Sequence, residues 1–285
     1  MSTREFSPVL ALLLGASLWG VVWYPLRLLE AQGFYPVWLT FTTYAAATLI
    51  GLALMTAQPH SFRTHAWTLL ALALAGGCTN IAFVLAVLDG NVMRVLLLFY
   101  LSPLWAVVLG WLLLKEPISW RSVSILALAM AGAISMLWDP SLGMPWPRDQ
   151  ADWLAIGSGF AFAVSNVIVR GAQEVSIAYK VVSTWLGVVV LAAILIALLR
   201  VPVPDVTVPV TVAALVLGAL GISVMTVLVQ YGVTRIPIHR SAVILLFELV
   251  AGALSQQLLT DEVMTFVEWF GGGLIVLAAY LSAKL

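Results

Sequence analysis

The sequence predicts an all-α integral membrane protein in which ten transmembrane helices form two inverted-topology five-helix repeats. Three observations carry that expectation. Hydrophobic residues fill 62% of the 285 positions, charged ones only 9%, and the mean hydropathy is +1.07, well above the roughly half-apolar composition of soluble domains. The apolar residues gather in ten runs. A leucine run ending in charge occurs twice, as LLLKEP at 112–117 and LLTDE at 258–262, with Glu116 and Glu262 146 positions apart.

A hydrocarbon core of about 30 Å needs about 20 helical residues. Runs of that order lie at 8–29, 36–57, 66–88, 92–114, 120–138, 151–170, 178–199, 208–234, 240–260 and 263–284. The amino-terminal MSTREFSP lacks the basic region and small-residue cleavage site of a signal peptide, so the first run is expected to be a retained helix. Chain breakers separate the runs: Gly33-Phe34-Tyr35-Pro36, Gln58-Pro59, Asp139-Pro140 and Pro202 to Pro209. Continuous apolarity excludes the alternating pattern of a membrane barrel. Short loops imply that the helices pack as one bundle.

Basic residues accumulate on the cytoplasmic side of membrane proteins. With the amino terminus inside, the cytoplasmic segments hold Arg4, Arg63, Lys115, Arg121, Arg170, Lys180, Arg235, Arg240 and Lys284, against Arg27, Arg94, Arg148 and Arg200 outside. Nine against four predicts a cell-membrane protein with both termini cytoplasmic. The longest loop, from Trp138 to Asp152, carries Asp139, Asp149 and Asp152 and suits an external junction between a first half, 1–143, and a second, 144–285. Because five is odd, the second unit enters the membrane in the opposite sense. Lys115 then lies inside and Asp261, its counterpart beside Glu262, outside.

The duplication extends further. A shift of 146 places Arg94 on Arg240 and Ser102-Pro103 on Glu248-Leu249, and a shift of 143 places Trp19 on Phe162, Trp23 on Asn166 and Arg27 on Arg170. Inverted repeats are a signature of secondary transporters. The block FYLSPLWAVVLGWLLLKEPISWRSVSILALAMAGAI resembles the EamA-type repeat of the drug/metabolite transporter superfamily, with its proline, apolar run, glutamate and glycine-bearing helix. FELVAGALSQQLLTDEVMTFVEWFGGGLIV resembles the second such repeat; Phe247-Glu248-Leu249 keeps its glutamate fourteen residues before Glu262 but lacks the proline that would kink the helix. Ala16-Ser17-Leu18-Trp19-Gly20 matches the family's Trp-Gly pattern.

Within that superfamily the chain is most similar to ten-helix bacterial amino-acid exporters, including those for aromatic amino acids. Some of these carry an aromatic residue where this chain has Ser102, which weakens that ground for aromatic selectivity. The resemblance implies an inner-membrane, monomeric carrier that is not an enzyme, needs no cofactor and moves a small molecule, with an amino acid as the expected substrate.

Substrate-contact candidates follow from polarity and helical spacing. Residues four apart share a helix side, so Trp19, Trp23 and Arg27 form a stripe on the first helix, and Phe162, Asn166 and Arg170 its counterpart on the sixth. Interhelical packing or lipid contact is the alternative for these aromatics. Thr79 and Asn80 place polar groups in mid-membrane, where an amide must find partners. Tyr100 and Ser102 flank Pro103, whose missing N–H frees a carbonyl. Packing between helices and a simple kink are the respective alternatives.

Glu248 is the one carboxylate near the bilayer centre. Such a charge costs at least roughly 2.5–3.5 kcal/mol on insertion scales, so it must be paired, face the interior or take up a proton. It is the candidate for proton coupling, with a structural helix-packing role as the alternative. Glu116 and Glu262, at helix ends, are expected to cap or orient the helix that follows each. Gly76, Gly77, Gly218, Gly221 and Gly271 to Gly273 suit close packing, the eighth-helix pair also bending.

Thirteen Lys plus Arg balance thirteen Asp plus Glu, which gives no ground for a nucleic-acid partner. Cys78 alone excludes a disulfide framework or Cys-based metal site, and His60, His65 and His239 are scattered. A membrane-embedded enzyme would concentrate catalytic groups near one face. A passive channel would show a charged ring or carbonyl filter, and neither pattern is visible. Phosphorylated substrates are disfavoured because no Lys or Arg sits at mid-membrane in the sequence reading.

Overall fold

A computed structural model describes residues 7–55, 65–142 and 146–285. Arg4, His60, Arg63, the Gln58-Pro59 break and the junction at 143 and 144 lie outside them. Among the described residues ten helices are long and apolar enough to cross a membrane: Pro8–Ala31, Pro36–Ala53, Ala66–Asp89, Val92–Leu114, Trp120–Leu137, Gln150–Gly171, Ile177–Leu199, Val208–Arg235, Ile238–Leu259 and Phe266–Ala283. Among the described residues there is no strand. Large apolar side chains such as Leu49, Trp67, Leu113, Leu198 and Phe266 stand exposed on the outer faces, as a lipid-facing surface requires.

The ten spans pack mainly across the two halves, and each cross-half pairing has an inverted twin. Span three lies on span seven as eight lies on two; three lies on six as eight lies on one; four lies on six as nine lies on one. Five on ten and two on seven are their own counterparts. The fold is thus an all-α membrane bundle of two interleaved, inverted five-helix repeats.

Four spans are interrupted, and these interruptions shape the centre. Proline cannot bond the carbonyl four residues back, and its ring clashes there. Pro25 accordingly breaks the first span at Val22, between Pro8–Val21 and Trp23–Ala31. Pro103 breaks the fourth at Tyr100-Leu101, between Val92–Phe99 and Ser102–Leu114. The ninth span breaks at the matching place without a proline: Ile238–Leu245 ends before Leu246, and Phe247–Leu259 follows. There the Leu249 N–H turns to the Leu246 carbonyl at 3.0 Å, a tightened i−3 bond. The eighth span contains a π-helical stretch, Leu217–Ile222, holding Gly218 and Gly221.

Two glycine contacts set helix separation. A Cβ on Gly132 would stand 2.6 Å from the Gly271 carbonyl oxygen, and one on Gly271 would stand 2.7 Å from that of Gly132, so spans five and ten touch backbone to backbone. A Cβ on Gly20 would stand 2.5 Å from the Glu248 carbonyl oxygen, which fixes the first span against the ninth beside the deep glutamate.

Arg94 and Arg240, related by the repeat, are both tied down but differently. The Arg94 Nε donates to Asp152 Oδ1 and Oδ2 at 2.9 and 2.8 Å, with both residues buried. Arg240 instead donates to the Ser282 and Ala283 carbonyls at 2.8 and 3.0 Å. Asp152, which the sequence reading grouped with the loop acids, is a buried residue of the sixth helix's first turn.

Candidate functional site

A cavity of about 200 Å³ lies where the two halves meet, lined by spans one to four and six to nine. Pockets for drug-sized ligands are roughly 300–1,000 Å³, so this one suits a small metabolite. Its apolar wall is aromatic in part, with Leu96, Val169, Val229 and Leu245 supplying the rest. Phe99 stands 5.1 Å from Phe83 and 5.6 Å from Phe162 between ring centroids, and Trp19 also borders the space.

Of the residues singled out from the sequence, Trp19, Thr79, Asn80, Tyr100, Phe162, Asn166 and Glu248 line this cavity. Ser102 lies in a small adjoining recess of about 20 Å³, which Tyr100, Phe162, Asn166 and Glu248 also border. Trp23 borders neither. It follows the Val22 bend, and its indole N–H is spent on Ser255 Oγ at 2.9 Å.

Glu248 begins the second half of the broken ninth span, where the interrupted helix turns its carboxylate inward. Tyr100, at the matching break of the fourth span, lines the same cavity and the same adjoining recess as Glu248. Among the described residues Glu248 is the one charged side chain in the lining. The other polar groups are partly committed. The Tyr44 hydroxyl donates to Asn80 Oδ1 at 2.8 Å and Asn80 Nδ2 to the Gly76 carbonyl at 3.0 Å, while the Thr79 hydroxyl donates to Ala75 O at 2.8 Å.

The sequence reading missed Tyr44, Phe83, Phe99, Thr184, Thr226 and Gln230. For Gln230 a signal was present: it is an amide inside an apolar run, the reasoning applied to Asn80. Phe83 and Phe99 look like ordinary apolar residues until three helices bring their rings together.

At one end of the bundle hydrogen bonds join the two halves. Arg170 Nε donates to Glu116 Oε1 at 2.8 Å, Arg170 Nη1 to the Thr234 carbonyl at 2.8 Å, and the Ile238 N–H to Glu116 Oε2 at 2.7 Å. Glu116 therefore caps the first turn of the ninth helix, in the other half, rather than the helix that follows it. The repeat counterparts differ. Glu262 is exposed and accepts from Gln256 of its own half, and Arg27 is exposed. Among the described residues no group of three or more His, Cys, Asp and Glu side chains could hold a metal ion.

The model of the EamA-like transporter family matches this chain twice, over residues 6–138 and 150–284. A Pseudomonas aeruginosa protein named only as an uncharacterized transporter is 29% identical over 107 residues, covering 36% of this chain and 32% of that protein. The matched stretch is thus about a third of that relative's length. A protein of known crystal structure superposes with a TM-score of 0.80, covering 96% of each chain at 19% identity. At that identity the likeness speaks to the fold.

Proposed function

We propose that this chain, which belongs to the EamA-like transporter family, exports an amino acid or a close amine-bearing relative by alternating access, with Glu248 exchanging a proton for the substrate's ammonium group. The family makes it a membrane transporter; the substrate class, direction and coupling are our reading. The observation that carries it is the Glu248 carboxylate, set in a cavity between the halves with Tyr100 in the same lining and no cation in the described lining. A carboxylate so placed must be neutralised by a proton or by a positive ligand. Binding either one excludes the other, which couples their movements in opposite directions.

The cross-half link at Glu116 supports alternating access, because it seals one end while the related Glu262 and Arg27 stay apart. The aromatic wall supports aromatic amino acids as the favoured members. We place the boundary between the repeats at 143 and 144, and the monomer in a bacterial inner membrane with both termini cytoplasmic. The nine-to-four distribution of basic residues supports that orientation.

Proteoliposome transport of labelled amino acids, with and without a pH gradient, tests the reading. Glu248→Gln is expected to abolish the response to the gradient and, at saturating substrate, to leave exchange at equal pH largely intact. A variant that matches the parent in both assays would return Glu248 to a packing role and make the protein a facilitator.

A further inference from the structure

We propose that Gln230 is a specificity-determining residue, whose amide oxygen accepts a hydrogen bond from a neutral N–H or O–H at the end of the substrate remote from its ammonium group. This deepens the reading above and rests on the cavity being the transport site.

The side chain is held by a closed ring of hydrogen bonds between spans seven and eight. Gln230 Nε2 donates to Thr184 Oγ1 at 2.9 Å, and Thr184 Oγ1 donates to the Lys180 carbonyl at 3.0 Å. Lys180 Nζ donates to Thr234 Oγ1 at 3.0 Å, and Thr234 Oγ1 returns to the Gln230 carbonyl at 2.7 Å. Thr184 has a single proton and spends it on Lys180, so toward Gln230 it can only accept. That fixes which way the amide points. Gln230 Oε1 is then a buried acceptor without a partner, on a residue that is 5% exposed and lines the cavity.

A buried acceptor left unmatched is costly, and the cavity is where a ligand can match it. The charge behind the ring decides what kind of donor fits. Lys180 is 0% exposed, and among the described residues its ammonium bonds neutral oxygens, those of Val169 and Thr234. Arg235 adds positive potential on the same side, while Arg170 is paired with Glu116. A second ammonium would be repelled there, so the cation belongs at Glu248 and the group meeting Gln230 is uncharged. Phe83, Phe99 and Phe162 line the same cavity as both residues. The substrate is accordingly an amine with an aromatic body and a hydroxyl or ring N–H on it.

Sites built to bond a substrate hydroxyl or N–H discriminate strongly against analogues that lack it. Calorimetric titration of the detergent-purified full chain with tyrosine against phenylalanine, and with tryptophan against 1-methyltryptophan, reads this directly. The parent is expected to bind the donor-bearing member of each pair about tenfold tighter or more. Gln230→Met, similar in size but without the acceptor, should equalise each pair, and Thr184→Val, which unlocks the amide, should reduce the preference. Glu248→Gln should weaken all four ligands while preserving the ratios. Equal binding within both pairs by the parent, as a water on Gln230 would produce, overturns the inference and leaves the transport reading standing. Failure of all four to bind overturns both.

Discussion

The Arg170 guanidinium meets the Glu116 carboxylate at 2.8 Å, and the two residues belong to opposite halves of the repeat. The same carboxylate receives the Ile238 N–H, so one side chain joins the end of span four to the end of span six and the start of span nine. Charge-assisted bonds of this kind contribute roughly 1.5–3 kcal/mol each when shielded from water. Glu116→Gln keeps an acceptor for Ile238 but removes the charge that holds Arg170. In a Cys78→Ser background, which removes the exposed native thiol, a Ser241→Cys probe, now buried, is expected to alkylate several-fold faster when Glu116 is glutamine. Unchanged labelling would mean that the link does not seal this end.

Repeat symmetry makes the complementary state specific. Arg170 maps to Arg27, Glu116 to Glu262 and Ile238 to Val92, so the oppositely closed form is expected to join Arg27 to Glu262 and to offer that carboxylate the Val92 N–H. Arg27→Gln should then slow the Ser241→Cys reaction, the reverse of Glu116→Gln, by stabilising the state seen here. Acceleration by both substitutions would break the symmetry argument.

The ion pair between Arg94 and Asp152 is a stability element, with side chains 9% and 2% exposed. Removing one partner of a buried pair typically costs about 3–5 kcal/mol, because the other charge is stranded. Asp152→Ala should lower the unfolding midpoint in detergent strongly, and Arg94→Met with Asp152→Ala should recover part of the loss. Equal midpoints for the single and double variants would show that the remaining arginine finds other compensation.

Opposite outcomes are expected from two glycines, Gly132 in span five and Gly273 in span ten. Gly132→Ala presses its methyl on the Gly271 backbone and should cost about 1–3 kcal/mol, the usual range for overpacking. Gly273→Ala meets nothing within 4 Å and should be neutral or stabilising by up to about 1 kcal/mol through helix propensity. Thermal unfolding of both variants in the same detergent checks the contrast.

A fluorescent reporter fused at Leu285 is expected to require the cytoplasm, from the distribution of basic residues. Signal only from an export-competent reporter would invert the assignment.

Hydropathy located the spans because apolar length is what a bilayer demands, and their ends failed where local chemistry intervened. The tenth helix was expected from 263, yet it starts at Phe266 because Thr265 and Glu268 form a reciprocal cap, a Thr-x-x-Glu signature present in the sequence. Trp19 and Trp23 were placed on one stripe by uniform helical spacing, and the Pro25-induced bend at Val22 separates them. The break at Leu246 had no proline to announce it; only the inverted twin at Tyr100 pointed there. Gln230 was less legible still, because its importance depends on Thr184, Thr234 and Lys180 closing a ring across two helices.

The π-helical stretch at Leu217–Ile222 divides the eighth span into a fixed root and a lever. Gly218 seats against the Thr43 backbone with no room for a side chain, and Ser223 Oγ bonds the Gly218 carbonyl at 3.2 Å, so the fulcrum is anchored to the second span. Beyond it runs Ser223–Arg235, 13 residues and about 20 Å long at 1.5 Å per residue. A swing of about 10° displaces the tip of such an arm by roughly 3 Å, about the length of the bond from Arg170 to the Thr234 carbonyl near that tip, 2.8 Å. The arm also carries Thr226 and Gln230 along the cavity wall. A single small rotation at this joint would therefore unlatch one end of the protein and withdraw a wall of its binding space in the same stroke.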